Sequence, residues 1–175
     1  LRHTIRDVLK REGRSFDEIE AARRHLAHDP ACTGRVGVIG FCLGGGFAML
    51  LVPPDKGFSA ASVNYGAVPK DIDDLLVGAC PVIGSYGALD AGLQKDPLRL
   101  EAALAETDIP HDVKVYADTD HAFMNDHAED EAPWGLTLLG VVLGGAGGFH
   151  PESAAHARER IERFFAAHLR AAPAR

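Results

Sequence analysis

The sequence predicts a three-layer α/β domain built on a mainly parallel sheet. Short apolar runs alternate with helix-spaced segments about every 20 to 30 residues, the rhythm of strand–helix–strand units. The first such run, 35–40, lacks the apolar–polar alternation of a half-exposed strand. A glycine-rich junction, Gly40-Phe41-Cys42-Leu43-Gly44-Gly45, then sits between this strand and an apolar helix.

Taken in order, residues 1–14 are mixed in charge, with no apolar core of signal-peptide type, and read as a lead-in segment. Ser15-Phe16-Asp17-Glu18 has the form of a capping box, in which Ser15 caps the next turn and Glu18 reaches back to the Ser15 amide. Phe16, Ile19, Ala22, Arg23 and Leu26 follow at helical spacing, predicting a helix over 16–28 that Asp29-Pro30 stops. Residues 35–40 read as a buried strand covered on both faces. Residues 43–51 read as a tightly packed helix ended by Pro53-Pro54.

The pattern then repeats. Strands are expected at 58–63, 81–85 and 112–116, and helices at 71–77 and 95–107, the second carrying Leu98, Ala102 and Ala105 and stopping before Pro110. A final helix over 153–169 would bury Ala157, Ile161, Phe164, Phe165 and Leu169. Residues 126–150, with Glu129-Asp130-Glu131 and Gly144-Gly145-Ala146-Gly147-Gly148, read as a flexible acidic and Gly-rich connection within a single domain over 1–175.

Composition narrows the function. With 18 basic against 25 acidic residues the chain carries a formal charge of -7, which gives no basic face for nucleic acid or an anionic membrane. No apolar stretch is long enough to span a bilayer. Three cysteines, Cys32, Cys42 and Cys80, make neither a disulfide framework nor a four-thiolate zinc site, so a reducing, cytoplasmic setting is the expectation.

Cys42 is the position that carries chemistry. A residue between a buried strand and a helix occupies a sharp turn, and Gly40 and Gly44 on either side permit close backbone crossing. The Leu43 amide faces the side of the thiol and can hold a developing oxyanion. A helix N-terminus also lowers a thiol pKa. The glycines fit neither a dinucleotide fingerprint nor a phosphate loop, and Cys42 has no Cys-x-x-Cys partner. A thiol nucleophile needs a base, and the base an orienting carboxylate. Asp90 follows the strand 81–85 and His121 follows the strand 112–116, in the order nucleophile, acid, histidine, at the face where parallel sheets build their sites. Asp118 and Asp120 are weaker rivals for the acid, since they share the histidine's loop.

These segments, Gly-Phe-Cys-Leu-Gly-Gly-Gly, then Gly84-Ser-Tyr-Gly-Ala-Leu-Asp90, then His121-Ala-Phe-Met-Asn125, resemble the dienelactone hydrolases of the α/β-hydrolase superfamily. The resemblance covers roughly 16–170. It implies Cys42 as nucleophile, Asp90 as orienting acid, His121 as base, and hydrolysis of a small lactone or ester through an acyl-cysteine with no metal or organic cofactor. It also implies a sheet with strands ahead of the nucleophile strand, and here that stretch holds one predicted helix. The expectation is therefore an α/β-hydrolase-like fold present as its C-terminal portion, from the nucleophile strand onward, with an N-terminal segment omitted or supplied by another chain. The opening Leu1 points the same way. Asn125 stands where dienelactone hydrolase has an arginine that binds the substrate carboxylate, so the reaction type carries over better than the dienelactone itself.

Phe41, Tyr65, Tyr86, Phe123, Asn125 and Trp134 are candidate pocket residues. Cys80 reads as packing, Cys32 as a loop residue, and the histidines at 25, 28, 156 and 168 as surface or boundary groups. His127 with Asp126, Glu129 and Asp130 lacks clean metal-ligand spacing, so no metal is expected. The partner is a small ester or lactone and the assembly a monomer or homodimer. The competing reading is a catalytically silent domain of the same fold that binds a ligand or a protein.

Overall fold

The computed structural model describes residues 2–126 and 148–170. Its four strands, β1 (Gly37–Phe41), β2 (Ala60–Asn64), β3 (Val82–Gly87) and β4 (His111–Tyr116), lie in chain order and are parallel throughout. Parallel neighbours need a crossover, and helices provide it: α3 (Leu43–Leu50), α4 (Ile72–Leu75) and α5 (Asp96–Ala105) follow β1, β2 and β3 in turn. Ahead of the sheet stand α1 (Arg2–Lys10) and α2 (Arg14–Ala27), and behind it α6 (Pro151–Leu169). Among the described residues no helix is long and apolar enough to cross a membrane.

The register sorts the side chains into two layers. Val38, Ala61 and Val82 share one face, while Ile39, Ser62, Ile83 and Asp112 share the other. The first face is a dry core in which Val63, Met49, Val52, Leu100 and Leu104 are buried and Phe16 and Ile19 of α2 pack at the margin. The second carries α6, where Ala154, Ala157 and Ile161 meet Ile83, Tyr116 and Phe123. Three layers result, as the strand–helix rhythm requires.

Several expectations are corrected. The fold does not begin at the nucleophile strand: α1 and α2 stand ahead of β1, α1 packs against α2 and α3, and the Phe16 ring of α2 lies 4.9 Å from Phe47 of α3. The lead-in segment 1–14 is therefore mostly the helix α1. Ile5 and Val8 put apolar side chains on one face of it, a spacing that was the available signal, and that face is half-buried. The capping box does not form either. Gly13 occupies the N-cap of α2, Glu18 accepts from Arg14, and Ser15 gives both its amide and its hydroxyl to the buried Asp7 carboxylate, at 3.1 and 2.8 Å. An acid on one helix thus serves the start of the next.

Among the described residues β1 has a neighbouring strand on one side only, and Ile39 and Phe41 are 46% and 39% exposed where cover on both faces was expected. In α6, Phe164, Phe165 and Leu169, expected in the buried stripe, are half-buried, while Arg160, which was not assigned to that stripe, is buried. Its guanidinium reaches the Asp112 carboxylate at 2.6 Å, the Ser85 hydroxyl at 3.3 Å and the Tyr116 hydroxyl at 3.3 Å. A paired and hydrogen-bonded cation can be buried where a lone one cannot. Most of the expected flexible connection, residues 127–147 and with it Trp134, lies outside the described residues.

Candidate active site

Cys42 joins β1 to α3 with φ 54° and ψ −119°, a conformation that only a tightly held turn sustains. Two backbone bonds hold it: its amide donates to the Asn64 carbonyl at 3.1 Å, and its carbonyl accepts from Gly46 at 3.2 Å. A Cβ at position 40 would lie 1.9 Å from the Gly44 carbonyl oxygen, so strand and helix can cross only at glycine. Position 44 has open space instead. Of the two glycines flanking the thiol, the crossing needs only the earlier one.

The acid and the histidine are brought together by the loops after β3 and β4. Those loops are laced by backbone, Ala88 donating to the Tyr116 carbonyl and Leu89 to the Thr119 carbonyl, both at 2.9 Å. A Cβ at Gly87 would come within 2.5 Å of the Thr119 oxygen, so the close approach again needs a bare α-carbon. The result is a 2.7 Å hydrogen bond from His121 Nδ1–H to Oδ2 of Asp90, a carboxylate only 1% exposed. The second Asp90 oxygen accepts the Gly92 amide at 3.1 Å. Asp120 binds the His121 backbone amide at 2.6 Å and Asp118 is exposed, so neither rival reaches the ring in place of Asp90.

With Nδ1 committed to Asp90, Nε2 is the nitrogen left to exchange a proton, and it is buried without a hydrogen-bond partner among the described residues. The Cys42 thiol faces the ring closely enough for each group to shift the other. His121 is the chief reason that thiol is held below its ordinary 9.0, and the Leu43 amide lowers it further, while burial and the Asp90 charge oppose both. Burial pushes the His121 ring down, but Asp90 and the Cys42 sulfur outweigh it and raise the ring to about 9. Each partner thus favours the charged form of the other, as in a thiolate–imidazolium pair.

Tyr65 is fully buried; its ring stands 5.2 Å from that of His121, and its hydroxyl donates to Asn125 Oδ1 at 3.0 Å. Phe41 lies 6.1 Å from Tyr65, and Phe123 packs beneath, 5.7 Å from Tyr65 and 4.9 Å from Tyr116. Tyr86 is placed elsewhere: it is buried in the dry core and its hydroxyl donates to the Gly66 carbonyl at 3.1 Å. Sequence reasoning did not find the brace formed by Thr119 and Gly87; the Gly in Tyr86-Gly87 was the available signal. Among the described residues no group of three or more His, Cys, Asp or Glu side chains is placed to hold a metal ion. Hollows of about 430 and 500 Å³ lie away from the thiol, one at the end of α2 beside Arg24 and His28, the other between Val68 and Arg99.

Over residues 2–169 the chain matches the model of the dienelactone hydrolase family. It belongs to that family. The match starts in α1, so the expected lack of an N-terminal part finds no support in it. A carboxymethylenebutenolidase of Rhodococcus opacus is 27% identical over 142 residues, 73% of this chain and 56% of that protein. Another, of Pseudomonas putida, is 41% identical over 51 residues, 29% of this chain and 21% of that protein. The chain thus spans about half the length, or less, of these curated relatives. Among solved structures, a dienelactone hydrolase-like promiscuous phosphotriesterase from metagenomic libraries superposes with a TM-score of 0.65 at 18% identity, covering 86% of this chain and 60% of that one. At that identity the likeness speaks for the α/β-hydrolase fold alone.

Proposed function

We propose that this protein hydrolyses a small carboxylic ester or lactone, with Cys42 as nucleophile, His121 as general base and acid, and Asp90 as the group that orients and supports the ring. The observation that carries the reading is the 2.7 Å Asp90–His121 bond, which leaves Nε2 unpartnered beside a thiol of lowered pKa. The thiolate attacks the carbonyl carbon, and the electron pair moves onto oxygen, toward the Leu43 amide. Collapse forms the thioester and expels the alkoxide, which takes the proton from Nε2 of His121. Nε2 then removes a proton from water as it attacks the acyl-cysteine, and the acid leaves as the thiolate is restored.

Phe41 is the exposed member of the group beside this centre, with Tyr65 and Phe123 buried behind it and Asn125 half-buried, mainly apolar surroundings that suit a small acyl group. The curated relatives named carboxymethylenebutenolidase support a lactone among the substrates. Three free cysteines, one of them activated, suit a reducing compartment. The test is hydrolysis of p-nitrophenyl acetate by wild type and Cys42→Ala. Loss of turnover with unchanged thermal unfolding is expected, because the elbow is set by backbone rather than by sulfur. Equal turnover would move the chemistry elsewhere, and a wild type without turnover would return the silent binding domain to first place.

A further inference from the structure

Tyr65 immediately follows β2, where strand alternation would send its side chain to the face of Val63. Its backbone takes φ 37° instead, a left-handed conformation that tyrosine rarely adopts, and the ring turns back to the aromatic cluster of the α6 face with Phe123 and Tyr116. There it stands edge-on to His121, and its hydroxyl spans 60 residues of sequence to Asn125. Asn125 closes the turn that follows His121, donating its amide to the Ala122 carbonyl at 2.8 Å. The histidine loop is therefore fastened on two sides. Toward Asp90 the fastening is backbone, Leu89 to Thr119; toward β2 it is the Tyr65 hydroxyl.

We infer that Tyr65, through its bond to Asn125, is a positioning residue that holds His121 toward Cys42 while the backbone lacing holds it toward Asp90. This goes beyond a pocket-wall role and rests on the proposed hydrolytic reading for its kinetic consequence. The strained tyrosine is kept because its hydroxyl and ring edge fix the half of the histidine's placement that the Asp90 bond leaves open: rotation of the loop about that bond would carry Nε2 away from the sulfur.

Tyr65→Phe keeps the ring and deletes the hydroxyl, and Asn125→Ala deletes the other partner at a half-buried position. Two measurements read them: the pH profile of Cys42 alkylation by iodoacetamide, and kcat and KM for p-nitrophenyl acetate. In each variant the alkylation midpoint is expected to move up toward the ordinary thiol value. kcat should fall about 3- to 10-fold with KM unchanged, the scale of one lost neutral hydrogen bond. The double variant should lose no more than either single one, since both break the same bond. An unmoved alkylation profile, or a KM rise with kcat retained, would overturn the inference and leave Tyr65 a wall of the pocket. Alkylation needs no substrate, so a shifted profile in a protein that hydrolyses no ester would sink the hydrolase reading and leave the positioning role standing.

Discussion

Cys42 and Cys80 stand at opposite ends of one parallel sheet, and the two ends make different groups of the same side chain. Cys80 precedes β3 at the end where chains enter the strands. It is buried in the dry core with its amide on the Val52 carbonyl at 3.0 Å, and burial alone pushes its thiol up to about 11. Cys42 follows β1 at the end where chains leave. It too is desolvated, but His121 and the Leu43 amide more than offset that and hold it below 9.0. Burial is common to both thiols. The difference is that loops from β1, β3 and β4 converge at one end with a histidine and a helix start, and nothing comparable meets at the other among the described residues.

The contrast breaks most completely if His121 is removed. In His121→Ala the cation that lowers Cys42 is gone and only the Leu43 amide is left to oppose burial, so the two thiols become more alike. A thiol reacts through its thiolate, and below its pKa the rate falls tenfold per pH unit. Iodoacetamide labelling of Cys42 at pH 7 should therefore drop roughly 10- to 100-fold and its profile shift to higher pH. Ester hydrolysis, if Cys42 carries it, should drop roughly 10²- to 10⁴-fold. A labelling rate unchanged from wild type would mean that the elbow, not the imidazole, activates the sulfur.

Gly40→Ala attacks the same end through the backbone. The added methyl meets the Gly44 carbonyl, so strand and helix must part, at a cost of roughly 3 kcal/mol or more in urea unfolding. Whatever folds should label at Cys42 like an ordinary buried thiol. At the opposite end Cys80→Ala removes only packing. Stability should fall by about 1 kcal/mol, while Cys42 labelling and turnover stay at wild-type values. The smallest effect has the opposite sign. Gly44→Ala adds a methyl in open space within α3, and unfolding should show a gain of up to about 1 kcal/mol.

What could be read from sequence was whatever short spacing encodes. The strand–helix order and the elbow are local patterns, because Gly40 must be bare within a few residues of the turn it serves. Strand ends also carry Asp90 and His121 by position alone. Features set by distant partners were not legible. Ser15 and Glu18 match a capping box, yet Ser15 bonds an acid eight residues upstream on another helix. Nothing local marks Arg160 for burial, because its partners Asp112 and Ser85 lie 48 and 75 residues away. The apolar run of β1 looks the same in the middle of a sheet as at its edge. Both Tyr65 and Tyr86 were expected just past strand ends; Tyr86 lies within β3 and keeps its alternation, whereas the left-handed backbone at Tyr65 turns that ring to the opposite face.

The hold of α6 on the rest of the chain bears on the order in which a ribosome makes it. Arg160 finds Ser85 and Asp112, and Arg158 and His150 donate to the carbonyls of Met124 and Phe123, each at 3.0 Å, on the stretch just after His121. All of these acceptors are synthesised before the groups that fasten them. A nascent chain that has not yet released residue 150 carries its elbow and its acid loop, but the floor of Tyr116 and Phe123 is bare and the histidine stretch is untied on that side. The face of the histidine stretch that α6 covers is therefore fastened only once α6 has been made, long after the elbow and the acid loop it serves.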